Sequence, residues 1–404
     1  MELGELKIPK IEIQRIPLPQ DFRTRLVHQY FGILDTEFGR DFVQRLGKDL
    51  RVIALNDKMI SNGYGASRFD VKHLAMWSLW CANEYGSERA ESCLNSFLQS
   101  EEISAVRVLW VLGVQAADPI ALKDGHFIQP IETMPDSSNK ELFLQHPFTM
   151  APLWQSPATS ACAITKQRRL KKVWPSGQPE SEVQESWADD RRMKEIALLL
   201  NALDGVCCMP CLSTGHVEPT VPFGPFGGSA SSSQLYDVVG WAMSRSSLSS
   251  VSAQDIDALM DSYDRLEESK KTGIQTILSR LSQAKRRTQI EDKILDLGIA
   301  LEMLLLKDQN DNNDQLSLTF RLRGSWLLAD LAEERIEIFK LLKEIYKYRS
   351  QVAHGGVLCK GNAAKIAVVR QSFPKYQSLG ERVCRKIIRD GKPDWDKTIL
   401  GARS

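Results

Sequence analysis

The chain has 404 residues, enough for two or three domains at about 100–200 residues each. With 43% hydrophobic and 25% charged residues, it is neither wholly disordered nor fibrous. The 52 Lys and Arg nearly balance the 51 Asp and Glu, yet residues 341–404 hold 14 basic against 5 acidic groups. That basic end fits a polyanionic partner, with a solvated basic surface as the plainer account.

The first ten residues, MELGELKIPK, lack the basic-then-apolar layout of a secretory signal. The longest apolar run, Ile294 to Leu306, is broken by Asp296 and Glu302 and reads as a core helix rather than a membrane span. A cytoplasmic protein with no membrane contact is expected. Phe22, Leu26, Tyr30 and Ile33 follow helical spacing after a Pro-punctuated entry at Ile16–Pro19. A long helical segment starts at Asp70, with Leu74, Trp77 and Cys81 on one face, a bend at Gly86, then Leu94 and Leu98. His73, close to Met76, Trp77 and Trp80, reads as a core histidine. Residues 105–115 form a Val-rich, buried strand, and shorter strands are expected around Phe127–Ile131 and Ala161–Ile164.

The run Lys166 to Lys172 carries five positive charges in seven residues, and an acidic stretch follows from Glu180 to Asp190. It is expected as an exposed, locally compensated loop. Asp189 or Asp190 should then cap a helix burying Met193, Ile196, Ala197, Leu200 and Leu203, stopped by Gly205. Cys207, Cys208, Cys211 and His216 approach zinc-ligand spacing, but no second Cys pair completes a tetrahedral site. Buried reduced thiols are the simpler reading. Residues 221–234 hold nine Gly, Pro or Ser in fourteen positions and read as a linker or loop. The FGPFGG within them lacks the Gly-Lys-Ser/Thr ending of a phosphate loop.

Beyond the linker nearly everything reads as helix. Ile274, Ile277, Leu278 and Leu281, then Ile290 through Leu305, recur at spacings of three and four. An Asn/Asp-rich loop at Asp308–Gln315 precedes helices near Arg323–Ala332, from Glu333 past Ile345, and over Pro374–Arg389. The chain therefore divides into an α+β N-terminal region (1–220), the linker (221–234) and an all-α helical-bundle domain (235–404).

The chemistry is concentrated in Tyr346-Lys-Tyr-Arg-Ser-Gln-Val-Ala-His-Gly-Gly356, where Arg349 and His354 stand five residues apart near a helix end. Arginine offers a permanent, planar charge for phosphate oxygens, and histidine exchanges protons near neutral pH. The two suffice to cleave RNA without metal: His354 takes the ribose 2′-OH proton while Arg349 stabilises the charge growing on phosphorus-bound oxygens. On one ideal helix they lie about 140° apart, so they share a site more easily if the helix end distorts or if a second subunit completes it. Glu302 reads as a partner fixing the Arg349 rotamer, or as a solvent-facing acid. Tyr346 and Tyr348 stack on bases or pack the helix. Asp292 and Asp296, one turn apart, have no histidine partner and suggest no metal or other cofactor.

Residues 274–390 resemble the HEPN superfamily, more narrowly its Apea-like branch. The residues that carry the resemblance are Arg280-Leu281, Glu291-Asp-Lys-Ile-Leu-Asp-Leu-Gly-Ile-Ala-Leu-Glu302 and Tyr348-Arg-Ser-Gln-Val-Ala-His-Gly355. It implies an HEPN-like bundle that homodimerises, sharing Arg349 and His354 of both subunits in one cleft. It also implies a metal-independent endoribonuclease of a toxin or anti-phage defence system. Ser350 departs from the Asn, Asp or His common after the Arg but matches the Apea-like branch, and its hydroxyl can still orient Arg349. The N-terminal region is free to receive a protein trigger or inhibitor. The rival readings are a non-catalytic dimer that binds RNA or nucleotide, and a dimerising scaffold for an N-terminal sensor.

Overall fold

The computed structural model describes residues 7–8, 30–63, 65–134, 140, 143, 161–174, 180–218, 220–222, 246–247, 252–306 and 315–401. The expected Pro-punctuated entry, most of the 221–234 segment and the Asn/Asp-rich loop fall outside them. The N-terminal region is mixed α and β with antiparallel sheets, and the C-terminal half is mostly helical. Among the described residues no helix is long and apolar enough to cross a membrane.

Helices α1 (Glu37–Gly47) and α2 (Leu50–Ile53) are capped by Thr36 and Asp49, whose side chains accept backbone N–H bonds. A small hairpin, β1 (Met59–Ser61) with β2 (Ala66–Arg68), leads to α3 (Val71–Tyr85) and α4 (Ser87–Gln99). Asp70 caps α3, and Gly86, at φ +88°, makes the expected bend between the two. Leu74, Trp77 and Cys81 are buried together with Leu94 and Leu98 in one apolar cluster. His73 corrects its reading: it sits exposed on α3 beside Asp70, not in the core.

The main sheet has the order β5-β6-β7-β3-β8, with every pair antiparallel. Its strands are β3 (Glu102–Leu112), β5 (Ile120–Ala121), β6 (His126–Pro130), β7 (Ala161–Lys171) and β8 (Met209–Val217). The two-residue β4 (Val114–Gln115) pairs separately with β9 (Ser246–Ser247). Strand periodicity splits β3 between two cores. Val108, Trp110 and Leu112 face a cluster with Phe143, while Leu109 and Val111 face α5 (Glu180–Leu200) and the helical half.

The basic run Lys166–Lys172 is not a loop. Lys166–Lys171 forms the second half of β7, paired along its length with β3, with alternate side chains turned inward, and Lys172 follows directly after the strand. Lys166 donates to the Asp124 carbonyl, Arg168 pairs with Asp189, and buried Lys172 donates to the carbonyls of Phe97 and Leu98 at the end of α4. Those carbonyls end a helix and welcome a cation. Asp189 and Asp190 are likewise not caps. The helix starts at Glu180, and both acids lie mid-helix, where Asp190 accepts from Arg107 and Ser213 on the sheet. Met193, Ile196, Ala197, Leu200 and Leu203 are buried as expected.

The C-terminal half comprises α6 (Ala253–Asp264), α7 (Glu268–Arg286), α8 (Ile290–Leu305), α9 (Leu316–Leu328), α10 (Ala332–Gly355), α11 (Ala363–Asp390) and α12 (Trp395–Leu400). The helix expected at Pro374 starts eleven residues earlier, where the Asn362 side chain caps it by accepting the Lys365 N–H. Pro374 lies inside α11 on an exposed position, so water can satisfy the carbonyl its missing N–H leaves free.

One apolar core runs from α5 into α7, α8, α10 and α11. A buried ion pair sits in this joint: Lys285 Nζ is 2.7 Å from Glu381 Oε1, with side chains 2% and 0% exposed. Lys285 also donates to the carbonyls of Asn201 and Val206, and Glu381 accepts the Gly205 N–H. At the outer rim, Arg192 of α5 bridges Asp124 of the β5–β6 turn and Asp264 of α6.

Candidate functional site

Gly298 and Glu302 lie four residues apart on α8 and so share one face, which packs on α10. A Cβ at Gly298 would sit 2.4 Å from Arg349 Cγ and 2.7 Å from Arg349 Cβ. The missing side chain is what lets the Arg349 stem lie against α8. One turn further on, Arg349 Nη2 donates to Glu302 Oε2 at 2.5 Å, with the two side chains 25% and 20% exposed. Arg349 Nε is buried and has no partner among the described residues. Burial raises the Glu302 pKa above its ordinary value, although the Arg349 charge and hydrogen bond pull the other way.

His354 occupies the last turn of α10 and is exposed. The helix stays regular through both residues. It ends at Gly356, which takes the left-handed conformation (φ +65°) and donates its N–H to the Val352 carbonyl at 2.8 Å. Arg349 and His354 therefore remain about 140° apart around α10. One is pressed against α8 and the other open to solvent, so a single subunit does not bring them together on one face.

The following loop is strained. Cys359 and Lys360 hold φ of +51° and +53°, a region that costs a non-glycine residue about 1–3 kcal/mol. Gln351 supports it by accepting the Cys359 N–H at 3.0 Å. Ser350, half-buried, makes no side-chain hydrogen bond among the described residues. The rings of Tyr346 and Phe320 lie 5.4 Å apart, and those of Tyr348 and Tyr376 lie 6.5 Å apart. Both tyrosines thus meet aromatic neighbours within the bundle.

Asp296 is buried, and its two oxygens accept from Arg280 and Arg287, at 2.9 and 3.1 Å. Cys207, Cys208 and Cys211 are buried free thiols, and burial pushes Cys211 up to about 12 and Cys208 well above its ordinary value. The His216 side chain lies outside the described residues. Among the described residues no group of three or more His, Cys, Asp or Glu stands close enough to hold a metal ion. Sequence reasoning passed over Gly298, although the Gly-x-x-x-Glu spacing on an apolar helix was the available signal. Gln351 gave none. Comparison with family models, with curated proteins and with solved structures finds no match.

Proposed function

We propose that the helical half is an HEPN-like, metal-independent endoribonuclease that works as a homodimer, with Arg349 and His354 in charge of the chemistry. The observation carrying this reading is the cradle around Arg349. Gly298 admits its stem and Glu302 holds one guanidinium nitrogen, so the charge is fixed in direction before any substrate arrives. His354, exposed on the same helix end, is free to take a proton.

The reaction balances without a cofactor. His354 removes the 2′-OH proton, the ribose oxygen attacks phosphorus, and the 5′-oxygen leaves with a proton taken from water, His354 afterwards releasing its own proton to solvent. The products are a 2′,3′-cyclic phosphate and a 5′-hydroxyl. Because one subunit holds Arg349 and His354 on different faces, a second copy is assigned the complementary residue of each cleft. A toxin or anti-phage role in the cytoplasm, with a protein trigger or inhibitor at the N-terminal region, belongs to the same proposal.

The test is cleavage of RNA in chelator by the full chain. His354→Ala should lose about 10²–10⁴-fold in rate with little change in binding. Arg349→Ala should lose both rate and affinity, and Arg349→Lys should recover only part of the rate. Products should end in 2′,3′-cyclic phosphate, and light scattering should give a dimer. Full cleavage by folded His354→Ala would overturn the reading, as would activity abolished by EDTA and restored by magnesium or manganese. A monomer that cleaves would remove the shared site. The rival, a dimer that binds RNA or nucleotide without cutting, draws on the same ion pair: an Arg349 tied to Glu302 also serves plain helix packing.

A further inference from the structure

The basic character of the C-terminal end is concentrated on one helix. The 28 residues of α11 include seven Lys and Arg against two acids, Glu381 and Asp390. Glu381 is fully buried and neutralised by Lys285. Asp390 stands at the last position, shared by Lys386 and Arg389. Three of the cations, Lys375, Arg382 and Arg389, recur every seven residues, and all are exposed. Seven residues bring a helix round to within about 20° of its start, so the three form one stripe. They stand about 10 Å apart and span about 21 Å. No carboxylate pairs with Lys375 or Arg382 among the described residues.

The stripe begins level with the candidate site. The Tyr376 hydroxyl donates to Glu344 Oε2 at 2.6 Å, and its ring neighbours Tyr348, directly before Arg349. At its far end Arg382, Arg385, Lys386 and Arg389 wall one side of a cleft of about 880 Å³. Four acids also line that cleft: Asp204 pairs with Arg385, Asp390 with Lys386 and Arg389, Asp255 bonds to the Ser252 cap, and Asp330 completes the set. The cleft end is thus close to balanced, and the uncompensated charge on the outer face of α11 is that of Lys375 and Arg382.

We propose that the Lys375–Arg382–Arg389 stripe is a track for the phosphates of single-stranded RNA, leading the strand to the Arg349 end of the bundle. RNA as the occupant rests on the ribonuclease reading above, and a single row of charges suits one backbone rather than two.

The experiment measures binding of labelled oligouridylate to full-length His354→Ala, which leaves the strand uncut, across a salt series followed by fluorescence anisotropy. Adding Lys375→Gln, Arg382→Gln and Arg389→Gln should make the slope of log affinity against log salt shallower by about two, since each single-strand contact contributes about 0.7. Between about 50 and 200 mM salt, the parent should then lose about twenty-fold more affinity than the triple variant. The charge-preserving triple Lys375→Arg, Arg382→Lys and Arg389→Lys should keep the parent slope. If the glutamine triple fails to fold by circular dichroism, Arg382→Gln alone should still lower the slope by about 0.7. An unchanged slope in a folded variant overturns the track, as does duplex DNA binding as tightly as the single strand. A flattened slope, together with a wild-type chain that cuts no RNA, supports the track and overturns the ribonuclease reading alone.

Discussion

Gly298→Ala separates close packing from intrinsic helix preference because the two oppose each other in sign. In a helix interior, alanine is favoured over glycine by about 0.8–1.0 kcal/mol. At this position, however, the new methyl would lie 2.4 Å from Arg349 Cγ and 2.7 Å from its Cβ. Forcing extra volume into a packed contact costs about 1–3 kcal/mol, and an overlap this deep belongs in the upper part of that range. The net expectation is a loss of about 1–2 kcal/mol. The same substitution in an Arg349→Gly background, which removes both contacting atoms, meets no obstacle and should stabilise by about 1 kcal/mol. Urea unfolding of the four proteins, followed by circular dichroism, should give a coupling of about 2–3 kcal/mol between the positions. A Gly298→Ala chain as stable as the wild type would refute the close-approach argument, as would a cost that persists once Arg349 is gone. With the ribonuclease reading, the single variant should also lose more cleavage than stability, because the guanidinium is pushed away from Glu302.

The buried ion pair in the joint between sheet and bundle should be intolerant of single changes. Lys285→Met or Glu381→Leu alone should cost about 3–5 kcal/mol by urea unfolding, and the double variant should regain much of the loss, because no uncompensated charge stays buried. Singles as stable as the wild type would show that water reaches the pair. A second test concerns acid. Burial raises the Asp124 carboxyl, but bonds from His126 and Arg192 outweigh it and hold the group well below the usual carboxylate range. Its stabilisation is therefore complete above the ordinary value of 3.8 and fades as pH falls toward the depressed one. Asp124→Asn should flatten the stability–pH curve between about pH 4 and pH 2, and an unaltered curve would contradict the assignment.

The helical half was legible because its code is redundant. Ile294, Leu297, Leu301, Leu304 and Leu305 repeat at spacings only a helix turns to one side, and all are buried. Trp110 and Leu109 likewise announced a strand buried on both faces. The strand within the Lys166–Lys172 run was hidden because charge density usually marks a loop, whereas here long basic stems reach carbonyls and acids distant in sequence. Asp189 and Asp190 misled for the same reason. An acid before an apolar run is a good cap, and only the sheet opposite reveals that its partners are Arg168 and Arg107. At the candidate site, residue types pointed to Arg349, His354 and Glu302. The packing of Arg349 against Gly298 depends on two residues about fifty positions apart on separate helices and could not be read from either helix alone.

The core shared by α5 and the C-terminal helices sets a timetable for the chain during synthesis. The face of α5 that carries Met193, Ile196 and Leu200 leaves the ribosome long before Val383, Cys384, Ile387 and Ile388, which belong to the same apolar core. At about 5–20 residues per second, the interval from Leu200 to Ile388 is about 10–40 s. For that time the nascent sheet and its helix present an unfinished apolar wall, and Asn201 and Val206 wait for the ammonium of Lys285. The last long helix to emerge closes the core and, in the same motion, brings Glu381 onto Lys285.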